Sequence, residues 1–218
     1  MPESNTLMSN APRLFFIARE AYEKTKAPDE GRGAGLWEAQ VSVVFSAITL
    51  EAFMNELVTL AGMHIRLHSD AERIKDFANR IERAETERES IRHKYMQTRE
   101  IFTNKPYDKS AAPYQDFALL LDLRNAIVHT ISDVISRNPQ GEIERRYQRL
   151  INKLRSKNIL HETDGNMDFM SLISTPETAQ WACNAAVQII HSIVDVLPED
   201  FMRTHQKDST KRGFPLSG

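Results

Sequence analysis

A single cysteine, Cys183, is all that a chain of 218 residues contains, so no intramolecular disulfide can form and no cysteine cluster exists to hold a metal. Flanked by Trp181, Ala182, Ala185 and Ala186, it reads as a small buried apolar residue. Backbone breakers are scarce too: 8 Gly and 9 Pro leave room for long helices with short connections, which points to an all-α fold. The formal charge of -2 lacks the basic excess of proteins that coat nucleic acid, so any phosphate site has to be local. The N-terminus shows no charged segment followed by an apolar one, and no run reaches the ~18 to 20 apolar residues of a membrane span. A cytoplasmic protein without membrane association is the expectation.

What is present suits one core. Hydrophobic residues make up 41% and charged residues 27%, a globular rather than disordered balance, and the length favours one domain over two. Residues 1–10 read as a flexible N-terminus, 11–200 as a helical domain, and 201–218, with Lys207, Lys211 and Arg212, as a flexible tail. A first amphipathic helix ends near Lys26, before Pro28, Gly31, Gly33 and Gly35. That loop has no phosphate-loop spacing, since no Lys-Ser or Lys-Thr pair follows the glycines.

From residue 37 to 63, Trp37, Val41, Val44, Phe45, Ile48, Phe53 and Leu57 recur at helical spacing, with Ser42, Ser46 and Thr49 interleaved. Small residues on such a face let another helix approach closely, and the expected partner is the motif helix over residues 114–135. Glu51 interrupts the apolar pattern and either meets a cation, with Arg124 the natural candidate, or faces water. His64 and His68 share a helical face, but no third ligand follows by spacing, and no metal is expected. Residues 69–113 read as a charged helical excursion. Its narrow seam of Ile74, Phe77, Ile81, Ile91 and Tyr95 is interrupted at Arg88, and a proline-containing turn closes it.

A motif helix over residues 114–135 should be the most buried element. Its apolar run carries three polar side chains: Arg124, Asn125 and His129. Asn125 and His129 lie four apart on one stripe, and Arg124 is one position round with a long enough side chain to join them, so the three can converge on a small anion. A further helix over residues 142–157 repeats Arg145, Arg149 and Lys153 every four residues, suited either to an RNA backbone or to water. An irregular segment with a turn at Asp164 and Gly165 follows. Thr175, Pro176 and Glu177 then read as N-cap, N1 proline and first-turn acid of a last long helix, stopped at Pro198.

The Arg124-Asn125-x-x-x-His129 pattern, together with the upstream helix from Phe45 to Leu57, resembles the HEPN superfamily over roughly residues 37–197. The resemblance implies a single-domain helical bundle, RNA as the substrate and a homodimer whose two motif helices face each other and pool two histidines. It also implies a setting in prokaryotic defence or toxin-antitoxin biology, with a cognate antitoxin as partner. In such a site His129 would move protons, Arg124 would neutralise charge on the phosphorane oxygens, Asn125 would orient His129 or donate a hydrogen bond to phosphate, and Glu51 would hold Arg124. A 2′-hydroxyl nucleophile makes a metal or other cofactor unnecessary. The competing reading is a polar network that anchors a dimer, or a non-catalytic module binding RNA, nucleotide or a partner protein.

Overall fold

The start of the first helix is made by a neighbour rather than by a local cap. In the computed structural model, which describes residues 10–26, 35–68, 71–129, 136–137, 143–144, 147–160 and 167–217, helix α1 (Ala11–Thr25) has no side-chain cap of its own. Glu56 of α2 (Gly35–Leu67) takes that role, accepting from the Ala11 amide at 2.8 Å and from the Asn10 amide. A carboxylate at a helix N-terminus satisfies orphan amides and meets the positive end of the helix dipole. One long-range contact thereby fixes both the start of α1 and its alignment along α2.

The charged stretch is two helices, α3 (Glu72–Thr86) and α4 (Ile91–Thr103), rather than one. Arg88 adopts φ 56°, the Arg88 amide donates to Glu85 O at 3.0 Å, and the Glu89 amide donates to Ala84 O at 2.8 Å. That is a Schellman stop with a left-handed residue just past the helix end. Ser90 then caps α4 by accepting from the His93 amide. The hairpin folds back onto the body: Ile74, Phe77 and Ile81 are buried, and the buried Tyr95 hydroxyl donates to Leu50 O of α2 at 3.1 Å. Burial away from water pushes the Tyr95 phenol well above its usual pKa.

The motif helix, α5 (Ala112–Val128), ends earlier than its apolar pattern suggests, and His129 is its C-cap. Ile131, Val134 and Ile135 lie outside the described residues. Just beyond, Ser136–Arg137 (β1) pairs antiparallel with Ile143–Glu144 (β2), Ser136 opposite Glu144. The expected helix over 142–157 is therefore shortened to α6 (Gln148–Ser156), because its first residues are taken by this two-residue ladder. It ends at a left-handed stop like that at Arg88, Asn158 at φ 56°, with the Ile159 amide donating to Leu154 O at 3.0 Å.

After α7 (Phe169–Ile173), capped by Asp168, comes α8 (Pro176–Val194). Its N-terminus follows the sequence pattern: the Thr175 hydroxyl accepts from the Thr178 amide at 3.2 Å and Pro176 opens the helix. The most buried of the long helices is α8 and not α5, since 11 of its 19 residues are buried against 5 of 17 in α5. It is also α8 that exploits the small face of α2. The Ser42 hydroxyl lies 3.3 Å from both Ala179 O and Cys183 Sγ, and the Ser46 hydroxyl 3.7 Å from the same sulfur. Burial raises the Cys183 thiol above its usual pKa, so it stays an unreactive packing group.

Residues beyond Phe201, which read in sequence as a polar tail, form α9 (Thr204–Gly213) and a docked C-terminal stretch of chain. Phe214 is 1% exposed, its ring 5.6 Å from that of Phe15 and 6.0 Å from that of Phe53. Asn184 and Ser217 exchange two hydrogen bonds, at 2.7 and 3.1 Å. Composition conceals this because a single aromatic carries the anchoring.

The fold is all-α around one buried cluster that draws on α1 to α8 and on Phe214 just past α9. Within it α2, over Trp37–Leu67, is long and apolar enough by composition to cross a membrane, a feature hidden from a count of unbroken apolar runs by its serines, threonines and Glu51. Half of its most apolar window is buried against other helices, so bundle packing accounts for that composition.

Candidate functional site

Leucines on α5 turn its first three turns inward: Phe117, Leu119, Leu120, Leu121 and Leu123 are all buried. The last turn then emerges from the bundle. Asn125 and His129 are exposed, and Val128 between them is 50% exposed. The polar triplet is thus a surface feature at the open end of a buried helix.

Arg124 is the pivot. Its side chain is 25% exposed, its Nη1 donates to Asn125 Oδ1 at 3.1 Å, and its Nη2 lies 3.9 Å from Glu51 Oε1. Glu51, 49% exposed, sits between the two orientations left open by sequence: it is beside Arg124 and still reaches water. The Nε of Arg124 is buried without a hydrogen-bond partner among the described residues, leaving one donor of the guanidinium uncommitted. The His129 amide donates to Asn125 O at 3.0 Å, which fixes the residue as the terminal hydrogen-bonded position of the helix. Its imidazole has no hydrogen bond or ion pair among the described residues. A held guanidinium, an amide turned to it and an imidazole unengaged among the described residues therefore lie within the last two turns of α5 and its C-cap.

Beside them runs α6. Lys157 Nζ is 2.8 Å from Asp116 and Lys153 Nζ is 3.7 Å from Asp122, so α6 lies antiparallel to α5. That register carries the exposed Arg149, one turn before Lys153, toward the His129 end of α5. Arg145 lies outside the described residues. Further residues that the sequence does not single out complete this side. Arg92 of α4 donates to Ala118 O at 2.6 Å and to Asp122 Oδ1 at 2.5 Å, and Asp116 accepts from Trp181 Nε1 at 3.2 Å. The signal available for them is the polar spacing of Asp116 and Asp122 on an otherwise apolar helix.

Compared with protein-family models, with curated proteins and with solved structures, the chain matches none.

The histidine pair sits elsewhere. His64 and His68 stack with ring centroids 4.3 Å apart in a cleft of about 790 Å³ that also includes Glu199, Asp200 and Arg203. Desolvation, and then the neighbouring His68, lower the pKa of His64, with Asp200 opposing them. Among the described residues no three His, Cys, Asp or Glu side chains converge as metal ligands.

Proposed function

We propose that the protein is a metal-independent endoribonuclease of HEPN type, working as a homodimer. The observation that carries the reading is the Arg124 guanidinium held between Asn125 and Glu51, with an exposed His129, unengaged among the described residues, at the end of the same helix. A cation fixed by neighbours stabilises charge growing on a phosphate oxygen without having to reorganise. An imidazole titrates near neutrality and can take the proton of a ribose 2′-hydroxyl. The oxygen so activated attacks its own phosphate, the P–O5′ bond breaks, and a protonated imidazole supplies the proton to the leaving oxygen.

One imidazole cannot be base and acid in the same step, and a second copy of α5 across a twofold axis would supply the other. Because the triplet is at the surface in the single chain, such pairing needs no rearrangement of the core. Arg149 and Lys153 on α6 would hold the flanking backbone. The same surface without a partner histidine would serve a non-catalytic module binding RNA, nucleotide or protein. The decisive assay is incubation of purified protein with total RNA in chelator, beside His129→Ala: the proposal expects cleavage by the wild type alone, and the binding-module reading expects intact RNA from both. In the setting that the resemblance suggests, prokaryotic defence or toxin-antitoxin biology, a cognate antitoxin would cover this edge.

A further inference from the structure

Between α5 and α6 lies a groove of about 330 Å³ lined by Lys109, Tyr114, Ala118, Asp122, Lys153 and Lys157. Tyr114, Ala118 and Asp122 are one turn apart on α5, and the next positions on that stripe are Asn125 and His129. The groove and the candidate site are consecutive stretches of one helix face.

Its cations keep donors to spare. Lys109 is exposed and has no ion pair among the described residues. Lys153 is 62% exposed and only 3.7 Å from an Asp122 whose other oxygen is already bound by Arg92. Lys157 spends one of its three donors on Asp116. Lys153 and Lys157 are about 6 Å apart along the helix, the scale of one nucleotide step in an extended strand. Tyr114 is half-buried, backed by Tyr107 at 5.3 Å and Phe117 at 6.2 Å between ring centroids. A ring braced from behind and open to a basic groove is a stacking platform for an unpaired base.

We infer that this groove is the binding track for single-stranded RNA on one side of the cleaved bond, with Tyr114 stacking a base and Lys109, Lys153 and Lys157 meeting phosphates. The inference deepens the ribonuclease reading and depends on it for cleavage, though not for binding. A duplex keeps its bases stacked on each other and offers Tyr114 no face, so the substrate class is unpaired RNA.

The test is fluorescence anisotropy of the full-length His129→Ala protein with a short labelled single strand of mixed sequence and with the same strand annealed to its complement, over a salt series. Single strand should bind more tightly than duplex. Lys109→Glu should lower the salt slope by about 0.7, the share of the single phosphate that Lys109 neutralises. Tyr114→Leu should weaken binding roughly 5- to 150-fold, while Tyr114→Phe keeps the affinity. Lys109 is exposed, so its variant tests the groove without threatening the fold. Unchanged single-strand affinity in both Lys109→Glu and Tyr114→Leu, or a preference for duplex, overturns the inference even if wild type cleaves RNA. Reduced binding in these variants with no cleavage by wild type upholds the track and removes the nuclease reading instead.

Discussion

Arg124 and His129 differ in what holds them, and their substitutions should differ accordingly. His129 is exposed and its side chain has no partner among the described residues, so His129→Ala should leave stability within about 0.5 kcal/mol while abolishing activity. Arg124→Ala releases a Glu51 that is 49% exposed and can be solvated, so its fold cost should stay below about 1 kcal/mol. Cleavage should nevertheless fall by roughly 10² to 10³, the usual loss for removing a charge-stabilising donor. Urea midpoints and initial rates on the same preparations separate the two effects, and equal losses in both would place Arg124 in packing rather than chemistry. His64 makes a pH prediction. Desolvation and His68 hold its folded pKa below the ordinary imidazole value, so on acidification the unfolded chain takes up its proton first. Stability is therefore lost as pH falls below about 6.5, and His64→Gln should flatten that loss in melts recorded between pH 7 and 5.

At the scale of elements, α9 gives the sharpest test of packing. Phe214→Ala removes a ring enclosed by Phe15 and Phe53 and should cost about 3 to 5 kcal/mol, read as a drop in urea midpoint with unchanged slope. A loss under 1 kcal/mol would return residues 204–217 to the status of a loose tail. That segment also shows where the sequence stops being legible. Helices with long apolar periodicity, α1, α2 and α8, are readable as elements, and so are the start of α8 at Thr175 and the end of α1 before Pro28, because cap and breaker are local signals; α2 runs on to Leu67 and α8 stops at Val194, short of Pro198. The stop at Arg88 is visible only as a gap in the seam, since a left-handed arginine carries no mark that a glycine would have carried. The start of α6 escapes the sequence pattern because β2 recruits residues that fit a helix equally well. Which helix uses the small face of α2 depends on tertiary packing, and α8 takes the place expected of α5. The Arg124–Glu51 pair is legible as a cation opposite a misplaced carboxylate. For Asp116 and Asp122 the spacing on α5 shows polar positions but not which of the many cations on α4 and α6 they meet, and Arg92 carries no mark in a charged stretch.

For the whole molecule, the proposed mechanism needs two copies of one surface. Light scattering at micromolar concentration should give twice the mass of a 25.0 kDa chain. Reversing Arg149 and Lys153 to Glu should weaken RNA binding without changing that mass, since both side chains are exposed. A monomer at that concentration would leave each His129 alone and remove the composite site. The most direct measurement of the central claim is the chemistry of the RNA ends that wild-type protein produces in chelator. An internal 2′-hydroxyl attack assisted by His129 leaves a 2′,3′-cyclic phosphate on one fragment and a 5′-hydroxyl on the other. Those ends, absent with His129→Ala, are the expected result; 5′-phosphate and 3′-hydroxyl ends, cleavage only when a divalent metal is added, or cleavage that survives His129→Ala would contradict it.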